Sequence, residues 1–248
     1  MRYFLCNTVN PESKSILIDG PDAHHIRHVL RLPIGDTMRL LDGRNRIYEA
    51  TIERYSKAGV QLSILESYAS DAESPVQIHI GQGYLKDKKT DAVIRQLNEL
   101  GIHTWFPIFS RYSIPRPDPK RMSNRQARWI RIVEESIKQC RRGRLMRIGP
   151  ALDFKQVLES ATDFEKKIIF HEQASHRLVS AGKPIPPPQT RILALSGPEG
   201  GFSEAEIKQA IESGFEVVSL GPRILRAETA AVTAAAVLQF VFGDMGKK

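Results

Sequence analysis

Along the first seventy residues, apolar positions come in short runs that alternate with polar ones. Ser15–Ile18, Thr37–Leu41, Ile47–Ile52 and Val60–Leu65 carry β-branched or alternating apolar residues, separated by turn signals at Asp19-Gly20, Gly35-Asp36, Asp42-Gly43 and Ala58-Gly59. A period of two predicts strands with one buried face. One helix interrupts them, near Ala23–Leu30. The pattern predicts a small antiparallel barrel. Ser67–Pro75 is polar and reads as a linker.

From Val76 the pattern changes to strands alternating with helices. Val76–Gly81, Thr104–Ile108, Lys167–Phe170, Arg191–Leu195 and Glu216–Leu220 read as strands. Lys167–Phe170 and Arg191–Leu195 are apolar on both parities, as parallel strands buried on both faces should be. Lys88–Leu100 predicts a helix with Val93, Ile94, Leu97 and Leu100 on one face and Gly101 as its stop. Asn124–Arg142 predicts a long helix with an apolar face of Trp129, Ile132, Val133, Ile137 and Cys140 and a basic opposite face. Gly182–Gln189 holds four prolines and is a loop. Ser203–Glu206 has the Ser-x-x-Glu form of a capping box, opening a helix that ends at Gly214. Ala227–Phe242 is an alanine-rich closing helix stopped at Gly243. No internal repeat is present.

Charge changes this picture in one place. Of 36 basic and 28 acidic residues, twelve basic ones lie between Arg111 and Arg147 against Asp118, Glu134 and Glu135, so that segment is 12 − 3 = +9. The whole chain is +8, which leaves −1 for the rest. A basic segment this concentrated attracts a polyanion, and its ten arginines against two lysines suit bidentate phosphate contact and stacking on bases. The alternative is a solvated helix face. Cys6 and Cys140 stand far apart, which predicts neither a disulfide framework nor a zinc ribbon and fits a reducing compartment. Met1–Asn7 has no secretory character. The longest uncharged run, Thr229–Gly243, is too short to span a bilayer. A cytoplasmic protein with no membrane partner is expected.

Several chemistries drop out. There is no G-x-G-x-x-G opening a helix and no phosphate-binding G-x-x-x-x-G-K-[ST]. In His171-Glu172-Gln173-Ala174-Ser175-His176 the second histidine comes one residue too late for the zinc pattern. His24, His25 and His28 share a predicted helix without an acidic or cysteine partner, so no metal is expected. Two loops remain, Leu195-Ser196-Gly197-Pro198-Glu199-Gly200-Gly201 and Leu220-Gly221-Pro222-Arg223-Ile224-Leu225-Arg226. Each comes after a predicted buried strand and precedes a helix, at the strand ends where open α/β sheets place ligands. On spacing alone they are either ordinary tight turns or a small-molecule site whose ligand is unidentified.

His25-Ile26-Arg27-His28-Val29-Leu30-Arg31 with Gly35-Asp36 and Asp42-Gly43, Glu99-Leu100-Gly101-Ile102 with Pro107 and Ser110-Arg111, Gln139-Cys140-Arg141-Arg142, and both loops through Glu228-Thr229-Ala230 carry a resemblance over nearly the whole chain. It is to the bacterial 16S ribosomal RNA uracil-N3 methyltransferase family, within the trefoil-knotted S-adenosylmethionine-dependent enzymes. Ala227 stands where that family more often has threonine, and Lys138 where glutamate is common. The resemblance implies an α/β fold: a trefoil-knotted domain with a parallel sheet over 73–248, preceded by a small RNA-binding β-barrel similar to the PUA domain over 1–72. It implies S-adenosylmethionine held by His171, Leu195, Ser196, Gly197, Glu199, Gly200, Gly201, Leu220, Gly221, Arg223, Ile224, Leu225, Arg226 and Thr229. It implies 16S rRNA within the small ribosomal subunit as substrate and a homodimer. Contacts to RNA fall to Arg27, Arg31, Arg111, Arg116, Arg125, Arg128, Gln139, Arg141 and Arg142.

Uridine N3 carries a proton at neutral pH, so its lone pair becomes nucleophilic as that proton leaves. Glu199 and Glu228 are the candidate acceptors. Arg226 is the candidate to stabilise charge spreading onto the uracil oxygens. Either glutamate could instead cap backbone amides of its own loop, and Glu199 is at least as well suited to that. Two other readings stay open: methylation of a ribose 2′-hydroxyl, and a non-enzymatic RNA-binding assembly factor.

Overall fold

The computed structural model describes residues 3–6, 14–86, 89–114, 116–176, 178 and 186–246. Residues 1, 2 and 7 of the N-terminal stretch, Lys88 of the expected first helix of the α/β region, and 182–185 of the proline-bearing loop lie outside the described residues. The chain packs as two units, Met1–Glu73 with Glu134–Leu145, and Ser74–Val133 with Met146–Lys248.

The first unit is a five-stranded sheet of β1 (Tyr3–Leu5), β2 (Ser15–Ile18), β3 (Thr37–Leu41), β4 (Arg46–Tyr55) and β5 (Val60–Ala69), in the order β1-β3-β4-β5-β2. All pairs are antiparallel except β1 with β3, which run parallel. β1 has three residues, too few to show a period. β5 continues through Ser67, Tyr68 and Ala69, which composition alone reads as linker. Register with Tyr48, Ile47 and Arg46 satisfies their backbone, and this outweighs the polar side chains. Phe4, Ile16, Met38, Leu40, Ile52 and Leu62 form the core. The helix over the sheet begins as α1 (Gly20–His24) and loosens into a π-helical turn, His25–Val29, where the Leu30 amide donates to His25 O at 2.9 Å. Ile26 points into the core, whereas His24 and His28 stay exposed with rings 4.7 Å apart.

The second unit is a parallel sheet in the order β12-β10-β11-β6-β7-β8, with β9 (Leu152–Asp153) pairing to β7. Its strands are β6 (Gln77–Gly83), β7 (Thr104–Phe109), β8 (Arg147–Ile148), β10 (Lys166–Phe170), β11 (Arg191–Ser196) and β12 (Glu216–Val218). Every pair is parallel. Helices α2 (Lys89–Glu99), α3 (Pro119–Cys140), α4 (Phe154–Ser160), α5 (Glu204–Glu212) and α6 (Ala227–Val241) make the connections or close the chain. α4 and the single 3-10 turn after it, Ala161–Asp163, are too short to carry a helical period. α3 starts five residues before the periodic stretch and buries Met122, Trp129, Val133 and Ile137; the rings of Trp129 and Trp105 meet edge to face at 5.1 Å. Its end, with Glu134–Leu145, belongs to the first unit, where Lys138 pairs with Asp22 at 3.0 Å.

α6 buries Ala231, Ala234, Ala235 and Leu238 on one helical face. The small side chains bring it close enough to bury Gln239 fully. Gln239 donates to Leu100 O (2.9 Å) and accepts from the Ser74 hydroxyl (2.9 Å). The uncharged run Thr229–Gly243 is thus largely a packed helix. Among the described residues no helix is long and apolar enough to cross a membrane.

The strand order places the site. β11 and β12 flank β10, and all three run the same way. The loops that leave their carboxyl ends therefore meet at one edge.

Candidate functional site

Those three ends enclose a cavity of about 370 Å³. Its wall comprises Phe170 at the end of β10 with His171 and Glu172 after it; Ser196 at the end of β11 with Gly197 through Phe202 after it; Ser219 through Gly221 and Arg223 through Arg226 after β12; and Ala227 and Ala230 of α6. A volume of this order accommodates a small organic ligand.

The loop after β11 is tightly held. A β-carbon on Gly83 would lie 2.1 Å from Pro198 N, and one on Gly197 3.0 Å from Gly201 Cα. The backbone lies bare at these points because its neighbours leave room for nothing else. Ser203 caps α5, and Glu206 reciprocates by accepting from Ser203 N (2.8 Å) and from its hydroxyl (2.9 Å). The same carboxylate accepts the Arg111 amide at 2.8 Å. Glu199 does not cap its own loop. Its Oε1 accepts the Lys86 amide and lies near Lys89 Nζ, both at 3.4 Å. Lys89 Nζ also stands 3.6 Å from Glu228 Oε2, so one ammonium bridges both candidate proton acceptors. No motif in the sequence marked Lys89.

The loop after β12 is open. Gly221 has φ +116°, a conformation that favours glycine, and the Ser219 hydroxyl bonds its amide and carbonyl, both at 3.1 Å. Arg223 and Arg226 are exposed, and Ile224 is 82% exposed. Arg226 is the N-cap of α6, which fixes its backbone at the cavity wall.

Of the residues named for the cofactor, all but Leu195 and Thr229 fall in this wall, and the candidate proton acceptor Glu228 does not. Leu195 is in the core, because the strand alternates and it is the next residue, Ser196, that reaches the cavity. On α6 it is Ala227 and Ala230, three residues apart, that line the cavity, and the intervening Glu228 and Thr229 are not part of its wall.

The residues named for RNA divide between the units. In the second, Arg125 lies over Tyr84, Arg116 over Phe109 and Arg111 over Tyr112, while Arg128 pairs with Asp91 at 2.7 Å and Arg116 with Asp153 at 3.0 Å. In the first, Arg27 lies over Tyr55, and Arg31 donates to His28 O at 3.5 Å. Gln139 and Arg141 line a polar cavity of about 400 Å³ with Tyr3, Asp22, His25 and Lys138. Arg142 corrects the reading of the basic segment. It is 3% exposed and its guanidinium meets Glu73 at 2.9 Å, because the chain turns inward after α3 at Arg141, whose φ is +62°. Among the described residues no group of three histidine, cysteine or acidic side chains could hold a metal ion.

A parallel α/β sheet with a glycine-walled cavity at its carboxyl edge defines a small-molecule-binding α/β domain. A family model described as an RNA methyltransferase domain matches residues 72–239, and one described as an RNA methyltransferase PUA domain matches 18–65. The chain belongs to this RNA methyltransferase family. It is 30% identical to the ribosomal RNA small subunit methyltransferase E of Bacillus subtilis (strain 168), over 96% of both chains. It is 33% identical to the protein of that name from Buchnera aphidicola subsp. Acyrthosiphon pisum, over 92% of this chain and 88% of the relative. A crystal structure of the Neisseria gonorrhoeae ribosomal RNA small subunit methyltransferase E bound to S-adenosyl methionine superposes with TM-score 0.85 at 30% identity, covering 99% of both chains. The structure of a Legionella pneumophila methyltransferase with bound cofactor gives TM-score 0.85 at 29% identity, over 98% of each.

Proposed function

We propose that this protein methylates N3 of a uridine in the 16S rRNA of the small ribosomal subunit, with S-adenosylmethionine as donor. The observation that carries the reading is the single cavity built by both glycine loops, with Arg226 and Glu199 in its wall. The cavity fits the donor's chemistry. Bare backbone at Gly197, Gly200 and Gly201 offers amides and carbonyls to a heterocycle edge, and Phe170, Phe202, Leu220 and Leu225 supply apolar walls. When bound, the donor supplies a methyl carbon already activated by its sulfonium, which leaves the protein to position, to remove a proton and to manage charge.

Those tasks fall to named residues. A carboxylate takes the N3 proton; Glu199 is in the cavity wall and Glu228 is not, so Glu199 has the better placement. Arg226 stabilises the negative charge that spreads over the uracil oxygens as the proton leaves. Lys89, between the two glutamates, holds them in place. Residues 1–72 act as a PUA-like RNA-binding domain and 73–248 as the methyltransferase domain, with the two loops threaded as a trefoil knot. The enzyme works in the cytoplasm as a homodimer.

Two measurements test this. Calorimetry with S-adenosylmethionine gives saturable one-site binding; no binding leaves only an RNA-binding assembly factor. Nucleoside mapping of rRNA from a deletion strain shows one N3-methyluridine missing. If that nucleoside is intact, or a 2′-O-methyl group is lost instead, the N3 assignment falls.

A further inference from the structure

An arginine–aromatic ladder stands at the carboxyl end of β6 and β7. Arg125 lies 5.6 Å over the Tyr84 ring, Tyr84 and Phe109 are 5.5 Å apart, and Arg116 lies 5.2 Å over Phe109. A few residues on, Arg111 lies 5.9 Å over Tyr112. Two close approaches set this ladder against the first cavity loop. Gly83 at the end of β6 abuts Pro198, and a β-carbon on Gly200 would lie 2.9 Å from Cβ of Tyr112. The Arg111–Tyr112 backbone is held from both sides. Buried Glu206 accepts the Arg111 amide at 2.8 Å, and the hydroxyls of Ser110 and Ser113, both buried, meet at 3.0 Å.

The three rings are not equivalent. Tyr84 is 2% exposed and Phe109 is half-buried, whereas Tyr112 is 47% exposed. A core aromatic would be buried. An exposed ring on a tied-down backbone, beside a cationic group and against the cavity loop, is what a flat polyanion-borne base requires. Uracil offers a π-face to the ring and carbonyl oxygens to a guanidinium. We propose that Tyr112, flanked by Arg111, is the stacking platform on which the target base rests as it enters the cavity; this rests on the methyltransferase reading above. Tyr112 is a positioning residue. It orders the base, and the cavity residues carry the proton and the charge.

The test uses the full chain and small ribosomal subunits lacking the modification. In Tyr112→Ala, kcat/KM for RNA falls roughly tenfold or more, the scale of one lost base stack, while the Kd for S-adenosylmethionine stays within about twofold. Tyr112→Phe restores the rate, because it keeps the ring. Unchanged kcat/KM in Tyr112→Ala overturns the proposal. So does a parallel loss of cofactor affinity, which would make the ring a mere support for Gly200. Tyr112→Trp supplies a readout without turnover. Trp105 and Trp129 are each 1% exposed and shielded, so the added indole reports on its own surroundings. Its emission is quenched by substrate RNA. An enzyme that methylates RNA but shows no quenching loses the platform and keeps the function. A wild-type protein that methylates no RNA overturns both.

Discussion

The two glycine loops of the cavity wall look alike in sequence and differ in how they are held. Gly197–Gly200 is clamped, with β6 pressing on Pro198, Tyr112 on Gly200 and the Ser203–Glu206 cap anchoring the start of α5, and space opens only at Gly201. Leu220–Arg226 is open. Gly221 has nothing within 4 Å of where a β-carbon would stand, and Ile224 and both arginines are exposed at the cavity wall. A clamped loop recognises by the shape of its backbone. An open one presents side chains, which is where charge handling and RNA contact belong. Under the proposed function, one cavity would divide its labour between a rigid wall and a chemical one.

The division predicts opposite sensitivities. The largest effect falls on the clamp: Gly83→Ala forces a methyl group into Pro198 and costs about 3 kcal/mol. Scanning calorimetry then shows a lowered Tm, and S-adenosylmethionine binding is lost. Wild-type values for both would mean the loop is not clamped. On the open side, Arg226→Ala lowers kcat on the order of 100-fold with cofactor Kd unchanged, since it removes charge stabilisation and leaves the backbone wall intact. Should Kd rise by the same factor, Arg226 is a binding residue and the two loops do not divide as described.

A third experiment separates loop effects from those of the sheet. His79 lies toward the amino end of β6, and burial, with His103, Arg191 and Arg147 nearby, pushes its pKa down to about 3. The folded state keeps it neutral, while the unfolded chain takes up a proton below about 6.5. Stability from this group is therefore complete above pH 6.5, declines as pH falls toward 3, and levels off below. The difference in urea midpoint between His79→Leu and wild type should be constant above pH 6.5 and shift in the variant's favour below it, since the variant is the less acid-sensitive. Equal pH slopes would discard the assignment. The smallest effect is at Gly221→Ala, where there is space and only the positive φ is strained: about 1 kcal/mol in Tm-derived stability. A loss as large as that of Gly83→Ala would erase the contrast between the loops.

Much of this was legible in the chain. The change of period near residue 76, the strands buried on both faces and the capping box at Ser203 are local, and local physics decides them. The paired loops were legible as turns at strand ends, and their joint motif as a family resemblance. β1 and α4 were not, because three or seven residues cannot show a period. Nor was β5 past Leu65, where the partner strand overrules polar composition.

The site itself shows the same boundary. Sequence by itself determined which residues lie on each loop and where the positive charge accumulates, since both are properties of chain order. Only the tertiary structure decided that β10 lies between β11 and β12, so that two loops share one cavity. It decided that Ser196 faces that cavity and Leu195 the core, and that Lys89 stands between Glu199 and Glu228. It also decided that buried Arg142 pairs with half-buried Glu73, while Arg111 stands over an exposed ring. The physical reason is range. Propensity and periodicity act over a few residues, whereas Lys89 and Glu228 are 139 positions apart and meet only because the sheet brings them together.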